Sequence, residues 1–352
     1  MAGVLESPVV TRLARLDGLR GLAACGVAFG YHGANLLAPG GLPGEAMLVP
    51  LGWLRSWGWT LVDLFFVLSG YIFAHVYLTA ASLARPGGMA DFAVARIARL
   101  WPLHLVLLLA MALIDSANPA NTPGAFVAHL LLVQAWHQPF AAAFNEPTWS
   151  ISVELFCYAV FARMAAAGPR ALGLAAAVAI GWGLIYLALN GQPGGPWSGD
   201  DFARGLLGFF LGTALWRART VLAGLGWPVL TLVLGAGLLI DMGGASALFP
   251  LTLLAWPAAL LLALRLPVME GRVMVWLGDR SYAIYLIHMP VILALLHQFG
   301  SEVRGSGLLA LAAALTLGLS ELSFRLIEQP GRRAIRQWWA ARQSARLAAS
   351  AV

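Results

Sequence analysis

The chain contains no lysine, so its formal net charge of +6 rests on arginine. Charged residues make up 11% of the 352 residues, whereas a soluble domain carries about 25%. That deficit excludes a water-facing surface over most of the length. Cysteine is equally scarce. Cys25 and Cys157 both fall inside apolar segments, so they read as buried thiols and carry no signal about redox compartment. The arginines form no contiguous stripe among stacking aromatics, which argues against a nucleic-acid partner. No signal peptide is expected, because Pro8, Arg12 and Arg15 precede the first apolar run and no small-residue cleavage site ends a short one. No internal repeat is visible, which weighs against a transporter built from inverted halves. The longest polar stretch is the basic tail after Gln329, so there is no room for a separate soluble domain.

Apolar residues account for 60% of the chain. Runs of about 20 recur along it, each long enough to cross a hydrocarbon core of roughly 30 Å. The expected fold is an all-α polytopic membrane protein of about ten transmembrane helices, near 16–37, 58–79, 95–117, 147–167, 171–190, 203–218, 222–240, 246–266, 274–299 and 306–328. A further apolar stretch at 125–136 is too short to span and is expected at the interface or as a re-entrant piece. The Gly/Pro run 191–197 reads as an external turn. With the N-terminus in the cytoplasm, every arginine except Arg55, Arg204 and Arg304 falls on the cytoplasmic side. This positive-inside bias places both termini in the cytoplasm and the protein in the cytoplasmic (inner) membrane, as a multi-pass protein among lipids. Residues 1–330 then form one transmembrane domain and 331–352 a basic cytoplasmic tail.

Ionisable side chains at membrane depth are costly and mark function by default. The predicted first helix holds Asp17, Arg20 and His32, and the second Asp63, Ser69 and His75. The third carries Arg96, Arg99 and His104, the fourth Glu154, and the ninth Arg280 and His288.

These residues lie in blocks that resemble the acyltransferase-3 family of integral membrane O-acyltransferases. LDGLRGLAACGVAFGYH looks like its helix-1 signature of an Arg followed by a His, and VDLFFVLSGYIFA like its second block. RIARLWPLH is similar to its R-x-x-R-x-x-P element and PTWSISVELFCYAVF to its W-S-x-x-x-E block. GDRSYAIYLIH and FRLIEQPGRR resemble its C-terminal elements. The blocks follow the family's order along nearly the whole chain. The resemblance implies ten helices, no metal and no bound cofactor. It also implies transfer of an acyl group, expected to be acetyl from acetyl-CoA, to a hydroxyl of a sugar or small molecule. The domain 1–330 would then be the acyltransferase domain.

An alcohol is a poor nucleophile at its own pKa, so acyl transfer needs a base, and histidine suits that task. His32 is the candidate, about 18 Å along the helix axis from Arg20. The structural alternative is a buried histidine bonded to a neighbouring helix. A carboxylate that orients the base would be Glu154, which resembles the family's motif Glu, or Asp63; either could instead pair with an arginine. Arg96 and Arg99, at i and i+3, share a helix face and with Arg20 would grip the phosphates of an acyl-CoA. Ser69, Trp149, Ser150, Tyr282 and His288 are expected to shape the site. Trp149 could equally be an interfacial anchor, His288 a packing residue and Ser69 a helix-approach residue beside Gly70. No G-x-S-x-G elbow marks a nucleophilic serine.

In the family ten residues usually separate the helix-1 Arg from the His; here residues 21–31 intervene. In an ideal α-helix that insertion swings His32 about 120° from Arg20, where the family spacing gives about 20°. A π-type turn between Gly21 and Tyr31 would absorb it. His104 stands where the family often has Tyr. The leading reading is an acyl-CoA-dependent O-acyltransferase acting on a saccharide, such as an exopolysaccharide, lipid-linked glycan or O-antigen unit. A macrolide or other secondary metabolite is an alternative acceptor. A transporter or flippase for a polar lipid or glycan is the alternative of another class. Oligomeric state is not legible in the residues.

Overall fold

The computed structural model describes residues 11–37, 49–190, 199–240, 248–300 and 303–350, and all secondary structure among them is helical. The turn expected at 191–197 lies outside the described residues. In chain order the α-helices are α1 (Ala14–Cys25), α2 (Val49–Trp57), α3 (Leu61–Phe73), α4 (Gly88–Ile114), α5 (Pro123–Leu130), α6 (Gln138–Ala141), α7 (Trp149–Ala167) and α8 (Pro169–Asn190). They continue as α9 (Asp201–Arg217), α10 (Arg219–Leu222), α11 (Trp227–Leu239), α12 (Leu248–Pro250), α13 (Trp256–Ala263), α14 (Arg272–Phe299), α15 (Ser306–Ser323) and α16 (Gln329–Ser350). Each of the predicted spans falls on a helical segment. Among the described residues 6 helices are long and apolar enough to cross a membrane. The runs built on α1, α9, α11 and α12–α13 are shorter or more polar.

The largest departures are at helix ends. The third predicted span was expected from residue 95, but α4 already starts at Gly88. Arg96 and Arg99 therefore lie about two to three turns inside the helix rather than at its mouth. The seventh starts late, at Trp227, because Pro228 occupies the first turn and the preceding glycine-rich chain makes the bend. The last does not stop at 328. It passes through a π turn, Phe324–Glu328, into α16. The short stretch at 125–136 forms α5 and a 3₁₀ turn, Gln134–Trp136, with Leu132 in the left-handed region between them.

The predicted irregularity in the first helix is present. After α1 the chain forms a π-helix, Gly26–His32, then a 3₁₀ turn, Gly33–Leu36. The wider turn returns His32 to the side that faces α14, which Arg20 also faces. α1 is anchored at its start, where Arg15 donates to Leu264 O at 2.8 Å and to Glu270 at 2.9 Å. That hydrogen bond holds the Glu270 carboxyl below its ordinary range.

The interior is lipid-like, so close packing must supply helix association. α3 and α9 make the tightest seam. A Cβ on Gly70 would sit 1.8 Å from Phe209 O, and one on Gly212 2.0 Å from Val67 O. Beside the seam the Phe73 ring stacks on Tyr158 at 4.1 Å, with Phe161 and Phe209 edge-on. A Gly70→Ala protein should lose folded yield or melt at lower temperature, with overpacking costing about 1–3 kcal/mol. Gly181→Ala is the control, since a Cβ there meets nothing within 4 Å. Equal melting of the two variants in detergent would refute the seam.

Candidate active site

Two neighbouring spaces lie inside the bundle. The larger is a cavity of about 160 Å³ lined by Arg20, Arg96 and Arg99 together with Ser69, Ser150, Glu154, Tyr158, Ser281, Tyr282 and Tyr285. Its arginines are held in different ways. Arg20 donates to Ser281 Oγ at 2.9 Å and to Gly278 O at 3.0 Å, and pairs with Asp17 at 2.9 Å. Arg99 donates to the buried Glu328 at 3.0 Å, with its guanidinium 5.5 Å from the Tyr282 ring centre. Arg96 has no carboxylate partner among the described residues. Its guanidinium lies 4.8 Å from the Phe73 ring centre, and its buried Nε is unbonded. An aromatic face attracts a guanidinium without occupying its N–H groups. Arg96 is therefore the cation with the most donor capacity left for an anion.

Deeper in the same cavity Ser69 Oγ donates to Glu154 Oε1. Tyr282 Oη donates to Leu100 O at 2.6 Å, which fixes its ring as part of the wall. Ser69 is thus engaged with a carboxylate rather than serving only as a small residue at a seam.

The second space is smaller, about 20 Å³, and is lined by Tyr31, His32, Trp59, Glu146, Trp149 and Arg204. Val62 and Tyr285 line both spaces and form the partition. Tyr285 Oη donates to Pro147 O and lies 3.0 Å from Ser150 Oγ, so the partition is hydrogen-bonded in place.

His32 and His288 are 2.9 Å apart, Nδ1 to Nε2. The other nitrogen of His288, Nδ1, lies 3.3 Å from Ile284 O. A carbonyl only accepts, so His288 Nδ1 carries the proton and its Nε2 is bare. That bare nitrogen accepts from His32 Nδ1–H. The lone pair of His32 is then left on Nε2, which makes no hydrogen bond among the described residues. A backbone carbonyl thereby sets the tautomer of His32 through one intervening imidazole.

This arrangement corrects the expected orienting carboxylate. Neither Glu154 nor Asp63 hydrogen-bonds His32. Glu154 is taken by Ser69. Asp63 receives two hydrogen bonds from Arg204, at 3.1 and 3.0 Å, in a pair that is 1% exposed on both sides. The structure brings Arg20, Arg96, Arg99, Ser69, Glu154, Ser150 and Tyr282 to one cavity, and His32, His288 and Trp149 to the other side of the partition. Trp149 is 4% exposed and 5.3 Å from the Arg204 guanidinium, so it is an interior residue and not an interfacial anchor. His104 does not line the arginine cavity; its Nε2 binds His129 O at 2.8 Å.

Sequence reasoning passed over Arg204, Glu146, Tyr158, Tyr285 and Glu328. The arginine distribution places Arg204 among the outer-side charges, although an arginine inside a predicted span is itself a signal.

Comparison with known proteins adds an independent line. Residues 13–321 match the profile of a family described as an acyltransferase domain. Acyltransferase MdmB of Streptomyces mycarofaciens is 30% identical over 91% of this chain and 89% of its own length. Protein 2 in picA locus, from Rhizobium radiobacter, is 33% identical over 44% of this chain and 83% of its own. No solved structure matches.

Proposed function

The chain belongs to the acyltransferase-3 family and is a membrane acyltransferase; from that premise we propose that it moves an acyl group, expected to be acetyl, from acyl-CoA to a hydroxyl of a saccharide. The observation that carries the donor reading is the single cavity lined by Arg20, Arg96 and Arg99 with Glu154 and Ser69 beyond them. Guanidinium groups hold phosphate well, and Arg96 has N–H groups to spare. The phosphates would rest on the arginines while the thioester end points inward, toward Ser69, Glu154 and the partition.

Val62 and Tyr285 must part for the thioester to meet the acceptor, which brings its reacting hydroxyl to the space of about 20 Å³ beside His32. Its lining of tryptophan and tyrosine faces with Glu146 and Arg204 suits a polyhydroxylated molecule, which presents C–H faces and hydroxyls together. His32 Nε2 takes the proton of the acceptor hydroxyl as its oxygen attacks the thioester carbonyl. The C–S bond breaks, and the departing thiolate takes the proton that His32 has just accepted, leaving as CoA–SH and returning His32 to its neutral form. His288 Nε2 continues to accept from His32 Nδ1–H as His32 becomes charged, so the ring is positioned throughout. Glu154, one helix away, orders the thioester end through Ser69. The arginine distribution supports ten crossings of the cytoplasmic membrane with both termini inside, which would deliver the donor from the cytosol.

Purified protein in detergent, given labelled acetyl-CoA and extracted host glycan, should place label on the glycan. The glycan of a deletion strain should lack the corresponding acyl mass. Arg96→Gln should raise KM for the donor roughly tenfold with little change in kcat. Absence of transfer together with an unchanged glycan mass in the deletion strain would remove this reading.

A further inference from the structure

The C-terminal segment was expected to be a cytoplasmic tail, yet it packs on the helix that carries the donor-side arginines. Glu328, buried just before α16, accepts from Arg99 at 3.0 Å. Gly331 touches Pro102, and a Cβ on it would lie 2.8 Å from the proline Cβ. Farther along, Trp339 Nε1 and Gln343 Nε2 both donate to Asp91, at 2.7 and 2.6 Å. α16 therefore runs antiparallel along the Asp91–Pro102 stretch of α4, and Arg96 and Arg99 lie between its two attachment points.

Arg332 and Arg336 follow the packed positions on α16 and are exposed. They share a face at i and i+4, and Arg332 is within electrostatic reach of Arg336, Arg96 and Arg99. Other arginines of this region are engaged. Arg325 donates to Glu321, Arg333 to Gln329, and Arg342 lies over Trp338. Arg332 and Arg336 make no hydrogen bond or ion pair among the described residues. Like charges at i and i+4 are mutually unfavourable. The carboxylate that faces this group is Glu328, which already serves Arg99. Such a set of cations, open to water at its rim, matches a multiply charged anion.

We propose that Arg332 and Arg336 form the outer phosphate site of the donor cavity and hold the 3′-phosphate of the acyl-CoA nucleotide. The proposal rests on the acyl-CoA reading above. The inner arginines then meet the diphosphate, and the exposed pair meets the phosphate that stays nearest water. The tail helix becomes part of the substrate site instead of an appendage, and its tryptophan and glutamine contacts to Asp91 hold that site in register.

The test is equilibrium binding of CoA and of 3′-dephospho-CoA to the full-length protein in zwitterionic nanodiscs. Wild type should prefer CoA by roughly tenfold, and Arg332→Gln/Arg336→Gln should bind both ligands with the affinity wild type has for dephospho-CoA. The Lys/Lys variant should recover part of the preference. Retention of the full preference by the Gln/Gln variant overturns the proposal. So does a variant that changes only the response to added anionic phosphatidylglycerol, which would assign the pair to a lipid headgroup. If wild type binds neither nucleotide, the donor reading fails and this one with it. If wild type binds both equally, only the 3′-phosphate assignment is lost. Both substitutions are on an exposed face, and unchanged melting will confirm that the fold is intact.

Discussion

A His32→Gln protein should bind acyl-CoA as the parent does and transfer its acyl group roughly 10²- to 10⁴-fold more slowly, the usual contribution of a positioned general base. The separation of the two spaces makes this a clean test, since no arginine of the donor cavity touches His32. Glutamine keeps bulk and polarity at the position and cannot accept a proton near neutral pH. His288 gives the second half of the prediction. It is a positioning residue, so its substitutions should differ by what they offer His32 Nδ1–H. Asn can accept that hydrogen through its amide oxygen, whereas Leu leaves it unpaired and frees the imidazole to change tautomer. His288→Asn should retain most of kcat and His288→Leu should lose roughly tenfold or more, with an altered pH–rate profile. A parental rate in His32→Gln would sink the base assignment. Equal rates in His288→Asn and His288→Leu would sink the tautomer argument.

The two histidines also mark the limit of what the residues disclosed. The first-helix irregularity was legible because it follows from arithmetic along one chain segment: an extra residue between Arg20 and His32 must be absorbed, and the π-helix Gly26–His32 absorbs it. The sites of the helical segments were legible for a similar reason, since hydropathy and length are local. Partners across helices were not. Asp63 and Arg204 come from distant parts of the chain, and which faces meet depends on packing such as the Gly70 seam, where bulk and not polarity decides. An orienting carboxylate for His32 was a chemically sound expectation, but α14 presents an imidazole at that position. The packing of the tail was not legible either. Its low hydrophobicity reads as a segment left in water, while its Trp339 and Gln343 contacts to α4 depend on a single acidic residue, Asp91.

Breaking the Asp63–Arg204 pair should be among the most destabilising changes available to this protein, at about 3–5 kcal/mol for removal of one partner of a buried pair. The two single variants should not be equal. Arg204 also lies 3.7 Å from Asp200, and its guanidinium faces the Trp59 ring at 4.6 Å. In Asp63→Asn the arginine keeps Asp200 and the tryptophan faces. In Arg204→Gln, Asp63 and Asp200 face the same buried space without their shared cation. Arg204→Gln should therefore melt lower than Asp63→Asn in matched detergent. Replacing both charges with apolar side chains, Asp63→Leu/Arg204→Met, should restore the part of the loss that comes from Asp63, because desolvation of a buried pair offsets much of its attraction, and adding Asp200→Asn removes the second carboxylate that Arg204 serves. The combined variants then separate two roles that the single variants confound. Arg204 lines the His32 space, so a protein that regains its melting temperature but not its transfer rate would place Arg204 in acceptor binding. Recovery of both would make the pair a brace between α3 and α9. Single variants that melt with the parent would refute the buried pair as a source of stability.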